Sequence, residues 1–225
     1  MAAAAVLWLL AAGCGGETRS AERQARPSAP ALLPSAVDDR PKIVALGDSL
    51  TAGNGLLEAH AYPALIQAMI DRDGYEFEVV NAGVSGDTSA GGVRRLEWVL
   101  DEDVKVLIVA LGANDGLRGL SVAQMTSNLS QIIERAQKRG IEVILAGMEA
   151  PPNYGAEYAT AFRQAFADLA RKYRVAFVPF LLAGVAGVPE LNQADGIHPT
   201  AEGTVKVAEA IWQVLRPILD QIANS

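Results

Sequence analysis

Lys42-Ile43-Val44-Ala45-Leu46-Gly47-Asp48-Ser49-Leu50-Thr51-Ala52-Gly53 joins an apolar, β-branched run directly to a short polar word flanked by glycines. Ile43 to Leu46 is apolar at successive positions instead of alternating, as a strand buried on both faces of a parallel sheet must be. Gly, Asp and Ser directly behind it read as a turn at the strand's carboxyl end. In open α/β sheets, sites form in the loops beyond those ends. This one stretch therefore predicts a helix-covered parallel sheet and indicates where its chemistry should be sought.

Working outward, strands are expected over 42–46, 76–81, 105–111, 142–146 and 175–178. Between them, 62–71, 90–100, 122–139 and 154–173 carry apolar residues at helical spacing, and Thr200 offers an N-cap for a last helix running to about Ile222. Alternating strands and helices point to an α/β fold with helices on both faces of the sheet. The chain has 225 residues, 50% of them hydrophobic and 20% charged, enough for a sizeable core and against disorder. Lys+Arg 19 against Asp+Glu 26 gives a net charge of −7, the wrong sign for neutralising nucleic-acid phosphates. One cysteine excludes an internal disulfide framework, and two histidines leave no His- or Cys-rich metal cluster, so no metal or other cofactor is expected.

Residues 2–13 form an apolar run of Ala, Val, Leu and Trp closed by Gly, too short for the roughly 20 residues of a membrane span but suited to a secretion signal. Leu10-Ala11-Ala12-Gly13-Cys14 resembles the bacterial lipobox, in which the cysteine is lipidated and becomes the first residue of the mature protein. A plain secretory signal is the alternative. Residues 14–41 hold Pro27, Pro30, Pro34 and Pro41 and no apolar period, the composition of a tether. The expected organisation is a signal over 1–13, a lipid-anchored tether over 14–41 and a folded domain over 42–225. The resulting protein would be exported to the cell envelope and reach the membrane through that anchor, with no protein partner required.

Four words follow the strands in order: Gly47-Asp48-Ser49-Leu50, Asn81-Ala82-Gly83-Val84-Ser85-Gly86-Asp87, Gly112-Ala113-Asn114-Asp115-Gly116, and Asp195-Gly196-Ile197-His198-Pro199 ahead of the last helix. Each alone is an ordinary turn. Together they resemble the four blocks of the SGNH hydrolases, the GDSL-type esterases and lipases, with Ser49, Gly83, Asn114 and His198 as the family's serine, glycine, asparagine and histidine. Residues 85–89, 116–119, 152–155 and 179–180 are similar to the bacterial thioesterase I, arylesterase and lysophospholipase branch. The resemblance implies a flavodoxin-like three-layer α/β/α sandwich with a five-stranded parallel sheet in order 2-1-3-4-5.

The same residues suit acyl transfer. A serine hydroxyl needs a base within hydrogen-bond reach and a third group to hold that base in one tautomer. Ser49 is the expected nucleophile and His198 the base. Asp195, three residues earlier on a glycine-containing turn, can reach the imidazole. His60 has no such neighbour and reads as a loop residue. By the family pattern the Ser49 N–H, the Gly83 N–H and the Asn114 side-chain amide would form the oxyanion hole. Asp48 and Asp115 read as local loop stabilisers that accept backbone N–H bonds. Leu56, Leu57, Leu117 and Leu120 are expected to bed the acyl group, with Asn153 and Tyr154 in a covering loop over 152–155.

The expected activity is hydrolysis of carboxylic acyl esters through an acyl-serine, on aryl and alkyl esters, with lysophospholipids and acyl thioesters as further substrates. Activity should rise through the ionisation that leaves His198 neutral. A carbohydrate O-acetylesterase of the same family and a non-catalytic exported binding lipoprotein are the competing readings. A steep fall in rate beyond a few acyl carbons marks the first, and absence of serine labelling the second.

Overall fold

The computed structural model describes residues 39–100 and 103–224. The expected signal, Cys14 and nearly all of the tether lie outside the described residues. Strand β1 (Lys42–Gly47) pairs in parallel with β2 (Glu78–Gly83) on one side and β3 (Val104–Ala110) on the other. Beyond β3 lie β4 (Glu142–Ala146) and β5 (Ala176–Val178), so the sheet order is β2-β1-β3-β4-β5, as the family resemblance implied. Ile43, Leu46, Leu107 and Ile108 on the two central strands are fully buried, each worth about 1.5–3 kcal/mol of apolar burial.

The helices are α1 (Ser49–Ala52), α2 (Tyr62–Asp73), α3 (Ser89–Val99), α4 (Ala113–Leu117), α5 (Val122–Lys138), α6 (Ala156–Tyr173) and α7 (Ala201–Ala223). α2 packs with α7, while α3, α5 and α6 form a second group. The chain steps from β1 to β2 in one direction and from β1 to β3 in the other, so right-handed crossovers put these groups on opposite faces. That reversal opens a crevice at the carboxyl ends of β1, β2 and β3, where α1, the turn over 84–87 and α4 begin.

The largest departure from the sequence expectation is β2, which begins two residues later than expected and runs through Gly83. Gln67 on α2 accounts for the late start. Its side chain donates to the Phe77 carbonyl at 3.1 Å and accepts from the Val79 N–H at 2.7 Å, holding 77–79 to the helix as pairing begins. Gly83 is thus a strand residue in register with Gly47 instead of a loop residue.

Candidate active site

Asp48 caps the single turn α1 by accepting the Leu50 N–H at 3.0 Å, and Gly53, at φ 75°, closes the turn in the left-handed conformation. Ser49 is the first residue of the turn, so its own N–H has no intrahelical acceptor. The packing beneath it is tight. A Cβ on Gly47 would lie 1.8 Å from Thr51 Oγ1, and one on Gly83 would lie 2.2 Å from the Ala52 nitrogen. Both glycines are required so that α1 can press onto the ends of β1 and β2.

Ahead of α7, Asp195 Oδ1 accepts the N–H groups of Ile197 at 2.9 Å and His198 at 3.0 Å, which folds 195–198 into a local turn. Its other oxygen lies 2.6 Å from His198 Nδ1, and His198 Nε2 lies 2.9 Å from Ser49 Oγ. With a carboxylate facing Nδ1, the ring proton belongs there, which leaves Nε2 as the acceptor for the serine hydroxyl. The His198 side-chain bond, followed by the two backbone N–H bonds, holds the Asp195 carboxyl well below the usual carboxylate range. Gln193 straps this turn to the segment just past α1 by donating to the carbonyls of Asn54 at 2.8 Å and Pro199 at 2.9 Å.

Asn114 lies on α4 and donates its Nδ2 to Asp48 Oδ2 at 3.3 Å. Asp48, Ser49 and Asn114 together line a cavity of about 370 Å³ whose remaining wall is largely apolar and includes Leu117, Met148 and Phe180. The Asp48 side chain is buried, and burial pushes its carboxyl up to about 6 against the lowering effect of the Leu50 N–H, the Asn114 amide and His198. Among the described residues, no group of three or more His, Cys, Asp or Glu side chains could hold a metal ion. No helix among them is long and apolar enough to cross a membrane.

Residues 45–205 match the GDSL-like lipase/acylhydrolase family. The chain belongs to that family. It is 43% identical over 178 residues to the esterase TesA of Pseudomonas aeruginosa, covering 79% of this chain and 89% of the relative. It is 37% identical over 175 residues to an arylesterase of Vibrio mimicus, covering 77% and 88%. The crystal structure of the psychrotrophic esterase EstA from Pseudoalteromonas, inhibited by monoethylphosphonate, superposes with a TM-score of 0.75 at 30% identity, covering 80% of this chain and 99% of that one.

The family's second block needs a correction in this GDSL-type chain. The Gly83 N–H is committed to Asn81 Oδ1 at 3.0 Å, and the Val84 N–H to the Gly47 carbonyl at 3.1 Å. The next four residues form a β-turn closed by the Asp87 N–H on the Val84 carbonyl at 3.0 Å, with Gly86 at φ 80° in its third position. A turn of this kind directs the third residue's N–H outward, and no acceptor for the Gly86 N–H occurs among the described residues. Arg118, just past α4, holds the Gly86 carbonyl at 2.9 Å. Gly86, not Gly83, therefore has the free amide in this loop, and its sign in the sequence was a glycine at a turn position that demands positive φ.

Of the residues expected to bed an acyl group, Leu117 lines the cavity, whereas Leu56, Leu57, Leu120, Asn153 and Tyr154 do not. The chain leaves the cavity wall after Leu50, and Leu57 is 72% exposed. The loop over 152–155 braces rather than covers: Tyr154 Oη donates to the Leu117 carbonyl at 3.0 Å, and from α6 Tyr158 Oη donates to that of Leu120 at 2.8 Å. Pro152 from this loop does reach the lining. His60 is exposed in a 3₁₀ turn, away from the cavity.

Asp115 stabilises more than its own loop, because its carboxylate accepts both the N–H and the hydroxyl of Ser89 at the start of α3, at 2.8 and 2.6 Å. The sequence reading missed Arg95 altogether. Its guanidinium donates to Asp87 Oδ2 and to the carbonyls of Ala82 and Gly47, each at 2.7 Å, joining the ends of β1 and β2 to the Gly86 turn.

Proposed function

We propose that this protein is a serine esterase that hydrolyses carboxylic acyl esters, with Ser49 as nucleophile, His198 as general base and acid, and Asp195 as the group that orients the imidazole. The observation that carries the reading is the unbroken chain from Ser49 Oγ to His198 Nε2 at 2.9 Å and from His198 Nδ1 to Asp195 Oδ2 at 2.6 Å, opening on an apolar cavity. As Ser49 Oγ attacks the ester carbonyl carbon, its proton passes to Nε2. The carbonyl oxygen becomes an oxyanion that meets the N–H groups of Ser49 and Gly86 and Asn114 Nδ2. His198 then returns the proton to the departing alkoxide, leaving an acyl-serine, which water hydrolyses by the same steps in reverse order.

The cavity of about 370 Å³ has room for roughly a dozen non-hydrogen atoms at about 30 Å³ each. A largely apolar cavity of that volume suits a linear acyl chain better than an acetyl group. A chain-length series of aryl esters should therefore peak above the acetyl ester; a steep fall beyond a few carbons would instead assign an O-acetylesterase. Fluorophosphonate labelling tests the nucleophile: one equivalent bound, and none in Ser49→Ala, is the expected result. No labelling of the folded protein would assign a binding module.

We further infer export and lipid anchoring at Cys14, supported by the apolar run that ends in Leu10-Ala11-Ala12-Gly13-Cys14. Cys14→Ser should move the protein from the membrane to the soluble fraction and abolish fatty-acid labelling. An exported enzyme seldom meets acyl-coenzyme A, so oxygen esters should be its working substrates. A far higher specificity constant for acyl-coenzyme A, with retention in the cytosol, would reverse that assignment.

A further inference from the structure

Asp48 belongs to none of the proton-transfer steps above, yet it is the most deeply buried polar group of the cavity wall, 1% exposed. Both of its oxygens face N–H donors: Oδ1 the Leu50 amide at 3.0 Å, Oδ2 the Asn114 Nδ2 at 3.3 Å. An ionised carboxylate only accepts hydrogen bonds, whereas a carboxamide has a donor end and an acceptor end of nearly equal shape. The partner therefore decides which end of Asn114 faces it. Against an acceptor-only neighbour the NH₂ must turn toward Asp48, with one N–H bonded there and its second N–H left for the cavity.

We propose that Asp48 is a positioning residue that, in its ionised form, sets the polarity of the Asn114 carboxamide and so presents Nδ2 to the oxyanion. The proposal rests on the assignment of Ser49 as nucleophile and Asn114 as oxyanion donor. Adding a proton to Asp48 disrupts the arrangement at either oxygen. On Oδ1 it opposes the Leu50 N–H, and on Oδ2 it opposes Asn114 Nδ2 and invites the carboxamide to turn its oxygen inward. The titratable groups that face Asp48 from neighbouring elements are His198, from the turn ahead of α7, and Tyr62, on α2, whose hydroxyl is bonded to Thr51 Oγ1 at 2.8 Å. Burial pushes the Tyr62 hydroxyl far above its ordinary range, so it stays neutral while the Asp48 carboxyl, pushed up to about 6, changes charge.

The pH dependence of kcat/KM on an activated aryl ester tests this directly. For the wild type the logarithm of kcat/KM should rise with pH at a slope approaching 2 in the acidic limb, because Asp48 and His198 must both lose a proton. Asp48→Asn should lower the plateau about 10²-fold, comparable to loss of one oxyanion donor, and reduce the slope to 1. In an Asn114→Ala background the same substitution should cost less than about 3-fold, since the group it positions is gone.

A slope of 2 that persists in Asp48→Asn, or an equal loss with and without the Asn114 carboxamide, overturns the proposal. Thermal unfolding of each variant separates loss of fold from loss of position. Failure of the underlying nucleophile assignment would show differently, as undiminished activity and labelling in Ser49→Ala.

Discussion

Arg95→Met removes a guanidinium that bonds three separate segments, and the size of the loss follows from its surroundings. The Arg95 and Asp87 side chains are 21% and 10% exposed, and their N–O distance is 2.7 Å. Removing one partner of a fully buried pair costs about 3–5 kcal/mol, because the other charge is left in a poor solvent. Residual solvent contact at Arg95 reduces that figure, while the freed carbonyls of Gly47 and Ala82 add to it, though their position at strand ends lets water reach part of them. The net expectation is a loss of about 2–4 kcal/mol in urea unfolding, or a Tm lower by about 4–16 °C for a domain of this size.

Where wild type and Arg95→Met are both folded, kcat/KM should fall by about 10- to 100-fold, since an ångström of displacement of the Ser49 and Gly86 turns is enough to produce it. Fluorophosphonate titration should still count one site per chain. Arg95→Lys keeps the charge beside Asp87 but cannot fork to both carbonyls, so it should recover part of the stability and less of the rate. A loss below about 1 kcal/mol in Arg95→Met, with kcat/KM unchanged, would refute the view that this side chain holds the strand ends in place.

Two further outcomes separate the assignments made above. Gly83→Ala would push a Cβ to 2.2 Å from the Ala52 nitrogen and should lower Tm sharply by lifting α1 off β2. Gly86→Ala meets nothing nearer than Arg118 at 3.7 Å and should cost only about 1–2 kcal/mol for its positive φ while lowering kcat. Equal thermal losses would undo the distinction between a packing glycine and a donor glycine. Asp48→Asn should be more stable than the wild type at pH 8 and equal to it near pH 4. Folding raises the Asp48 carboxyl from 3.8 to about 6, so the folded state binds that proton more tightly, and the group's contribution to stability falls as pH rises from about 4 to 6. A shift of that size corresponds to about 3 kcal/mol as an upper bound, less the hydrogen bond lost in the variant. Urea titrations at the two pH values check it, and a difference independent of pH would show that the carboxyl titrates normally.

How much of this was legible in the chain depends on whether the property was local. The strand 142–146 and the cap at Thr200 were readable to the residue, because β-branched runs and capping side chains act within a few positions. The Asp195-Gly196-Ile197-His198 turn was equally readable, since a carboxylate three residues ahead of an imidazole can fold back onto it, here by accepting the Ile197 and His198 N–H groups. Gly83 was legible as a glycine with a purpose but not as to which purpose. The family blocks point to a glycine in this loop, while the choice between Gly83 and Gly86 depends on which amide Asn81 and the Gly47 carbonyl leave free.

Residues joined through space left no local sign at all. Arg95 reads as one of two adjacent arginines on a helix, and only the sheet order brings the carbonyl ends of β1 and β2 within reach of its guanidinium. Asp48 marks the same boundary from the other side. Its capping bond to Leu50, two residues on, is the local part, and that part was read correctly. The bond to Asn114 spans 66 residues. It explains why a group so costly to bury stands beside Ser49: a neutral cap such as Ser or Asn would satisfy Leu50 equally well, but neither is restricted to accepting, so neither would compel the carboxamide to face one way.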